Sequence, residues 1–208
     1  MQIKLCGFSE INSIKTAIDH GCDYIGVVFV KKSIRYIEPS ASYNLAKAID
    51  NKCKKVAVVA NQNLEELIDI YKNFQPDYFQ LHGDENISFI NSIKQNIPNI
   101  KFIKALSIKS KQDFALIDIY KNHIDFILFD NLNPGSGESF NWELLKNLEC
   151  KIPWFLSGGI NINNIEQAIE NFGAKYIDIS SGIEKNKAIK SNELIIKILE
   201  KFNKIRNK

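Results

Sequence analysis

The sequence is poor in cysteine and histidine, the residues that mark disulfide-rich and metal-binding proteins. Four cysteines occur in 208 residues, and they are scattered along the chain: Cys6, Cys22, Cys53 and Cys150. They show neither the paired spacing of a zinc site nor the density of a disulfide framework. Of three histidines, only His82 follows a strand-like run, which argues against a histidine-rich metal centre. We expect reduced thiols in the cytoplasm, and neither a metal nor a cofactor.

Long apolar runs and a strong excess of one charge are also missing. No apolar segment approaches the ~20 residues of a membrane span, and Met1–Lys4 does not begin a signal peptide. The formal net charge is +3, and basic residues are not clustered with aromatic ones as in a nucleic-acid-binding surface. We therefore expect a soluble protein that acts on a small molecule and binds neither nucleic acid nor membrane.

What the sequence does contain is a regular alternation of short apolar runs and longer amphipathic segments. The runs typical of strands are Ile3–Cys6, Tyr24–Phe29, Lys55–Val59, Tyr78–Leu81, Phe102–Ala105, Phe126–Phe129, Trp154–Leu156 and Tyr176–Ile179. Several are apolar throughout, as in parallel strands covered on both faces. Helical spacing of apolar residues separates them, for example at Leu64, Leu67, Ile68 and Tyr71.

Eight strand–helix units in this length predict a closed (β/α)8 TIM barrel, with eight parallel strands and outer helices. We see no linker and no second core, so residues 1–208 are predicted to form a single domain. Active sites of this fold lie at the carboxyl ends of the strands. The residues at those positions are Cys6, Arg35, His82, Asp130, Ser157–Gly159 and Ser180–Gly182.

Two glycine-containing turns follow the last two predicted strands, within Phe155–Ile160 and Asp178–Glu184. Glycines let a ligand approach the backbone, and the loops after strands 7 and 8 commonly bind phosphate in these barrels. Two ordinary tight turns are the alternative. Because each of the last two units has such a turn, we predict a phosphate site. It would use the backbone amides of Gly158, Gly159, Ser181 and Gly182.

The remaining candidates are single side chains at strand ends. Asp130 is placed at the barrel mouth, where it serves either as a catalytic or substrate-binding carboxyl or as a helix cap. Arg35 suits bidentate binding of a carboxylate, although an exposed surface arginine is an equal alternative. Gln80 and His82 end the fourth strand, and a lone histidine is more often structural than catalytic.

Cys6 is either a buried inert thiol or the reactive group of the site. Lys4 lies on the same strand face, two residues before it. A nearby ammonium lowers the pKa of a thiol from its usual ~8.5, and only the thiolate is basic or nucleophilic. Its position at the end of the first strand favours the reactive role.

The ordered set of motifs resembles the phosphoribosylanthranilate isomerase family of tryptophan biosynthesis. The matching segments are Lys4–Gly7, Gly26–Phe29, Ser33–Ile37, Gln80–Glu85, Leu128–Trp142, Ser157–Ile160 and Asp178–Glu184. The resemblance implies an Amadori rearrangement of N-(5′-phosphoribosyl)anthranilate to 1-(2-carboxyphenylamino)-1-deoxyribulose 5-phosphate. It also implies a cytoplasmic monomer or homodimer that needs no cofactor.

The resemblance also assigns roles to residues of this chain. It implies that Cys6 is the general base, Asp130 the general acid and Arg35 the group that holds the anthranilate carboxylate. Lys4, Gln80 and His82 join the glycine turns as substrate-binding residues. The chain departs from the family in the loop Pro134–Asn141, where Glu138 stands in place of the usual lysine.

Three alternatives remain. A pentose-phosphate epimerase would need metal ligands or paired aspartates at several strand ends, which the sequence lacks. A silent phosphate-binding barrel would keep the glycine turns and lose the acid or the base. A redox role for Cys6 would need a resolving cysteine, and Cys22 lies a helix away.

Overall fold

The chain folds into a closed barrel of parallel strands, and a computed structural model describes residues 1–130, 141–146 and 148–208. Each of the first seven strands pairs in parallel with the next, and the eighth pairs with the first to close the sheet. The strands are β1 (Gln2–Cys6), β2 (Tyr24–Val28), β3 (Lys54–Val59), β4 (Tyr78–Leu81), β5 (Lys101–Ser107), β6 (Phe126–Asp130), β7 (Trp154–Leu156) and β8 (Tyr176–Ile179). The predicted (β/α)8 barrel is confirmed, and every strand lies where an apolar run predicted it.

Helices cover the outside of the barrel. In the described part of the chain they are α1 (Ile11–Asp19), α2 (Tyr43–Ile49), α3 (Leu64–Phe74), α4 (Ile87–Asn96), α5 (Ala115–Tyr120), α6 (Ile165–Glu170) and α7 (Asn192–Arg206). A 3-10 turn, Trp142–Leu145, lies between β6 and β7. Among the described residues, no helix has both the length and the apolar character that crossing a membrane requires.

Helix α3 illustrates how local sequence sets these elements. The Asn63 side chain accepts a hydrogen bond from the Glu66 amide, while the Glu66 carboxylate accepts one from the Asn63 amide. This capping box satisfies two amides that the first helical turn leaves without partners. Leu67, Ile70 and Phe74 then recur on one face and are buried against the barrel.

Strand alternation separates the barrel interior from the layer under the helices. On β6, Ile127 and Phe129 join the large cluster packed against the helices, whereas Phe126 and Leu128 join the cluster inside the barrel. Aromatic rings close the amino-terminal end of that interior, among them Tyr24, Tyr78, Phe126, Phe155 and Tyr176. Because Asp130 follows in the same alternation, its side chain points into the barrel at the opposite end.

A short antiparallel hairpin lies between β8 and α7. It consists of β9 (Glu184–Asn186) and β10 (Ile189–Lys190). The hairpin turns at Ala188, whose φ is 65°, in the left-handed region. It returns the chain over the carboxyl end of the barrel and buries Lys190 there, 7% exposed.

Candidate active site

The carboxyl ends of the parallel strands form one rim of the barrel, and the predicted reactive residues lie on it. Cys6 ends β1, Asp130 ends β6, and His82 directly follows β4. The two glycine turns follow β7 and β8, and Arg35 lies in the segment after β2. The fold therefore gathers at one rim side chains that are far apart in sequence.

Cys6 is a buried thiol whose position depends on a glycine. Cys6 pairs with Gly26 on β2, and a Cβ at Gly26 would lie 2.7 Å from the Cys6 sulfur. Cys6 is 6% exposed and packs beside Val28 and Val58. Gly26 thus leaves the space that the sulfur occupies inside the rim.

Below Cys6, Lys4 forms an ion pair inside the barrel. Lys4 and Asp178 are register partners on β1 and β8, and Lys4 Nζ donates a hydrogen bond of 2.8 Å to Asp178 Oδ1. The Lys4 side chain has no exposed surface, and that of Asp178 is 8% exposed. Burial disfavours the ammonium, yet Asp178 and Cys6 outweigh burial and raise the pKa of Lys4. Lys4 therefore carries its charge inside the barrel.

Lys4 lowers the pKa of Cys6, as the sequence predicted, but the pKa of the thiol is nevertheless raised overall. Burial of the thiol is the largest influence and raises its pKa. Lys4 and Lys190 lower it, whereas the Asp178 carboxylate raises it. The net result is a raised pKa. The sequence did not predict it, because the sequence does not show how completely the sulfur is buried.

Asp130, His82 and Gln80 form a second polar group at the rim. His82 Nε2 lies 3.4 Å from Asp130 Oδ2, without a hydrogen bond between them. The Gln80 side-chain nitrogen lies 3.1 Å from His82 Nδ1. When Gln80 donates this bond, Nδ1 is the acceptor, so a neutral ring carries its proton on Nε2, facing Asp130. Among the described residues, the buried Gln80 Oε1 has no hydrogen-bond partner.

Arg35 is held by a carboxylate that follows β8. Arg35 Nε and Nη2 donate to the two oxygens of Glu184, at 2.6 and 2.9 Å. Lys190 Nζ donates to the same carboxylate at 2.8 Å and to the Ser180 carbonyl at 2.9 Å. Although burial opposes ionisation, these two cations lower the pKa of Glu184 to about 2. Glu184 thereby fixes two positive groups at the rim.

Gly7 lies where β1 ends beneath these cations. Its φ is 81°, and a Cβ there would lie 2.7 Å from Arg35 Cδ and 3.2 Å from Lys190 Nζ. A side chain at this position would therefore displace Arg35 and strain the backbone. The glycine lets the chain turn directly after Cys6.

The turn after β7 holds its peptide groups in a fixed orientation. Gly158 and Gly159 have φ values of 83° and 69°. The side-chain amides of Asn161 and Asn164 both donate to the Gly159 carbonyl, each at 3.0 Å. Within the described residues, no hydrogen bond uses the amides of Gly158 or Gly159. Backbone N–H groups of this type can donate hydrogen bonds to a bound anion.

The turn after β8 packs closely against the turn after β7. A Cβ at Gly182 would collide with the carbonyl oxygen of Ile160 and lie 3.0 Å from Asn161 Cα. Ser181–Ile183 forms a 3-10 turn. Since Gly182 admits no side chain, the two turns form one continuous backbone surface at the rim.

Known proteins share this arrangement over nearly the whole chain. The sequence profile of N-(5'phosphoribosyl)anthranilate (PRA) isomerase matches residues 3–201. The chain belongs to this isomerase family. The N-(5'-phosphoribosyl)anthranilate isomerase of Zymomonas mobilis is 37% identical over 205 residues, which cover 96% of this chain and 97% of the relative.

Solved structures of the PRA isomerase family match the barrel. Phosphoribosyl anthranilate isomerase from Thermus thermophilus has a TM-score of 0.89 and 25% identity, covering 99% of this chain and all of its own. A second structure, solved with reduced 1-(o-carboxyphenylamino)-1-deoxyribulose 5-phosphate, has a TM-score of 0.84 and 27% identity. The match covers 96% of this chain and 97% of that one.

The structure places one predicted substrate-binding residue away from the open rim. It also brings three charged residues to this region that the sequence analysis did not single out. Lys4 is enclosed beneath Cys6, so its contact is with Asp178 and not with the open site. Asp178 and Glu184 lie in the motif "DISSGIE", which was interpreted only through its serines and glycine. Lys190, in the hairpin beyond that motif, gave no signal of its own.

The altered family loop lies almost entirely outside the described residues. Residues 131–140 and 147 are not described, and the departure at Glu138 lies among them. Asn141, at the end of this loop, caps the following 3-10 turn by accepting a hydrogen bond from the Glu143 amide at 3.1 Å.

Proposed function

We propose that this chain converts N-(5′-phosphoribosyl)anthranilate to 1-(2-carboxyphenylamino)-1-deoxyribulose 5-phosphate, a step of tryptophan biosynthesis. The observation that carries the proposal is the pairing of two chemical groups at one rim. A thiol ends β1 above a buried ammonium, and a carboxyl ends β6 beside a histidine. Membership of the isomerase family supports the same substrate.

The reaction needs one proton donor and one proton acceptor. In the proposed mechanism, Asp130 in its acid form protonates the ribose ring oxygen, and the C1′–O bond breaks to give a Schiff base. The Cys6 thiolate then removes the proton from C2′, and the electron pair moves into the iminium to form an enolamine. Proton transfer to C1′ and loss of the enol proton give the ketone, so the isomerisation involves no net gain or loss of protons. Each proton-transfer group typically contributes about 10²–10⁴-fold.

The two glycine turns are proposed to bind the 5′-phosphate. The amides of Gly158 and Gly159 are without partners among the described residues, and those of Ser181 and Gly182 begin a 3-10 turn. Aligned backbone amides bind phosphate without a cationic side chain. Anchoring the phosphate fixes the sugar relative to Cys6 and Asp130, which lowers the barrier through orientation.

Replacing Gly182 by alanine tests the phosphate site. The new Cβ meets the Ile160 carbonyl, so the two turns separate and hydrogen bonds to phosphate are lost. Charge-assisted hydrogen bonds contribute about 1.5–3 kcal/mol each, so KM is expected to rise about tenfold or more. The control is Gly173→Ala, because a Cβ at Gly173 has nothing within 4 Å, although its φ of 63° adds backbone strain that Gly182 does not have. An unchanged KM in Gly182→Ala, with Gly173→Ala as reference, would remove these amides from the proposal.

Arg35 is proposed to bind the anthranilate carboxylate. Glu184 holds the guanidinium at the rim, and a planar guanidinium matches a carboxylate bidentately. Gln80 and His82 are proposed to contact the substrate from β4, where His82 Nε2 lies 3.4 Å from Asp130 Oδ2. For Lys4 we propose a position beneath the base and no contact with the substrate, because its side chain is fully enclosed.

The Arg35→Ala variant is expected to raise KM about tenfold to a hundredfold and to change kcat less. The expected loss corresponds to one charge-assisted contact of about 1.5–3 kcal/mol. Steady-state kinetics measures it, with Lys31→Ala as control, since the Lys31 side chain is 71% exposed and paired with Glu66. A variant with unchanged KM and kcat would place Arg35 outside the substrate site. Glu184→Gln is expected to have a smaller effect of the same kind.

The activity itself is tested with purified protein and freshly prepared N-(5′-phosphoribosyl)anthranilate. The anthranilate fluorescence is followed against a reaction without enzyme, which measures spontaneous hydrolysis. The expected result is an enzyme-dependent change, and chromatography then separates the ketone product from anthranilate. A protein that binds the substrate without forming the ketone would instead be a silent phosphate-binding barrel. Turnover of a pentose 5-phosphate alone would support an epimerase.

We further propose that residues 1–208 form a single domain of a cytoplasmic enzyme. The family match covers residues 3–201, and α7 closes the chain by packing on α1. All four cysteines are free thiols, which suits a reducing compartment. Sedimentation of the purified chain distinguishes the monomer from the homodimer.

A further inference from the structure

Three ionisable side chains follow one another inside the barrel: Cys6, Lys4 and Asp178. Cys6 and Lys4 project from the same face of β1, and Asp178 projects from β8 as the register partner of Lys4. All three are nearly inaccessible to solvent, at 6%, 0% and 8% exposure. An ammonium in such surroundings needs a partner anion, and two candidate anions lie next to it.

In the structure, Lys4 forms its ion pair with Asp178. Lys4 Nζ donates its hydrogen bond to Asp178 Oδ1, at 2.8 Å. The Cys6 sulfur lies further along the same face, close enough that both the charge of the ammonium and a hydrogen bond from it lower the pKa of the thiol. When Cys6 ionises, the thiolate becomes a second anion that attracts the same ammonium. An ammonium that is shared by two buried anions stabilises each of them less than it would stabilise either one alone.

We propose that Asp178 is a positioning residue that competes with Cys6 for the Lys4 ammonium and thereby keeps the Cys6 thiolate strongly basic. The inference rests on the proposed role of Cys6 as general base. A thiolate fully paired with Lys4 forms easily but removes a carbon-bound proton slowly, because proton transfer weakens with falling basicity. With Asp178 present, Lys4 assists ionisation without satisfying the thiolate completely.

Other charged groups face this trio and belong to the same electrostatic balance. Lys190 and Arg35 approach Cys6 from the segments after β8 and β2. Asp130 and His82 act on Asp178 from β6 and β4. Because these groups are unchanged in variants of Lys4 and Asp178, such variants isolate the competition.

The decisive experiment measures the pH dependence of Cys6 alkylation by iodoacetamide, followed by mass spectrometry of the Cys6 peptide. In Asp178→Asn, Lys4 is left to the thiolate alone, so the midpoint of alkylation is expected to fall by about one pH unit or more. In Lys4→Met, the ammonium is lost and the Asp178 carboxylate remains, so the midpoint is expected to rise by a similar amount. Shifts of opposite sign from the two halves of one ion pair distinguish competition from a structural role.

The matched control is a second buried ion pair of the same chemistry. Lys104 Nζ lies 3.1 Å from Glu85 Oε2, with side chains 3% and 2% exposed. Lys104 alternates with Ile103, which faces the barrel interior, so it points toward the helices. Glu85→Gln and Lys104→Met are therefore expected to lower thermal stability and leave the Cys6 midpoint unchanged.

The double variant Lys4→Met/Asp178→Asn guards against failure of a single variant to fold, since it leaves no unpaired charge. Its midpoint is expected to lie above that of the wild type, because Lys4 acts on the thiol more strongly than Asp178 does. A midpoint that stays unchanged in the double variant, or that moves in the same direction in both single variants, overturns the inference.

The alkylation readout does not depend on turnover, so the inference and the proposed function fail separately. If Cys6→Ala retains full activity while the opposite shifts are observed, the assignment of the base is wrong and the competition stands. If Cys6 is essential and the shifts are absent, the base stands and Asp178 has another role. When both hold, the acid limb of the kcat/KM profile moves with the alkylation midpoint in Asp178→Asn.

Discussion

Replacing Cys6 by alanine is expected to lower kcat about 10²–10⁴-fold, the usual contribution of a proton-transfer group. The loss follows because no other group at the end of β1 can accept the C2′ proton. Lys4 lies below the sulfur and is already protonated and bound to Asp178. KM is expected to change little, since phosphate and carboxylate binding use other residues.

The Cys6→Ser variant sharpens this prediction. A hydroxyl occupies less space than a thiol and fits beside Gly26, but it ionises far less readily, so kcat is expected to remain near that of Cys6→Ala. Cys150→Ser is the control, because this half-buried thiol lies before β7, away from the rim. Equal thermal denaturation of all three variants excludes unfolding as the cause. Wild-type turnover in Cys6→Ser would show that another residue is the base.

The pH profile should carry the signature of the same thiol. Burial raises the pKa of Cys6, so the thiolate fraction, and with it kcat/KM, is expected to increase as the pH rises through the neutral and mildly alkaline range. In the free enzyme, the acid limb of kcat/KM reports the base. The limb is expected to disappear from the residual activity of Cys6→Ala.

Sequence patterns predicted the fold because every strand of a parallel barrel is buried on both faces. Runs such as Phe126–Phe129 are apolar throughout and stand out between amphipathic helices. The observed strand boundaries differ from the predicted ones where polar residues belong to strands. Lys101 and Ser107, for example, extend β5 beyond the predicted run at both ends. A side chain with a long apolar stem can enter a strand end without an apolar signal.

The chemical rim was predictable because strand ends meet in this fold, whatever their separation in sequence. Cys6, Asp130, His82 and the glycine turns all follow apolar runs directly. Their partners were not predictable from spacing. Lys4 and Asp178 are 174 residues apart and Arg35 and Glu184 are 149 apart, so only the closure of β8 on β1 shows that they meet.

Burial is the property that the sequence represented least well. A lysine two residues before a cysteine suggested an activated thiol, yet the sulfur is enclosed and burial outweighs the ammonium. Likewise, Arg35 could be an exposed arginine by sequence, whereas its side chain is 8% exposed and bound by Glu184. In both cases, the charge was visible in the sequence and its surroundings were not.

The cations near the thiol are each tied to a carboxylate. Lys4 is bound by Asp178, while Arg35 and Lys190 share Glu184. An unpaired cation in this enclosed space would be strongly destabilising, since removing one member of a buried pair costs about 3–5 kcal/mol. The carboxylates therefore let the rim hold positive charge near the proposed base and near the proposed carboxylate site.

The Asp130→Asn variant is expected to lose kcat by about 10²–10⁴-fold with a similar KM. The amide has nearly the same shape as the carboxyl and leaves the contact with His82 possible, but it has no proton to give to the ring oxygen. The leaving oxygen must then depart as an alkoxide, which is slow. Asp118→Asn is the control, since the Asp118 side chain is 75% exposed and pairs with Lys121.

Deuterium at C2′ of the substrate separates the acid from the base. In Cys6→Ser, removal of the C2′ proton is the slow step, so the isotope effect on kcat is expected to be fully expressed. In Asp130→Asn, ring opening precedes that step and becomes slow, so the isotope effect should fall toward unity. A full isotope effect in Asp130→Asn and none in Cys6→Ser would require the two roles to be exchanged. The isotope effect therefore decides which group acts in which step, which the loss of activity alone does not.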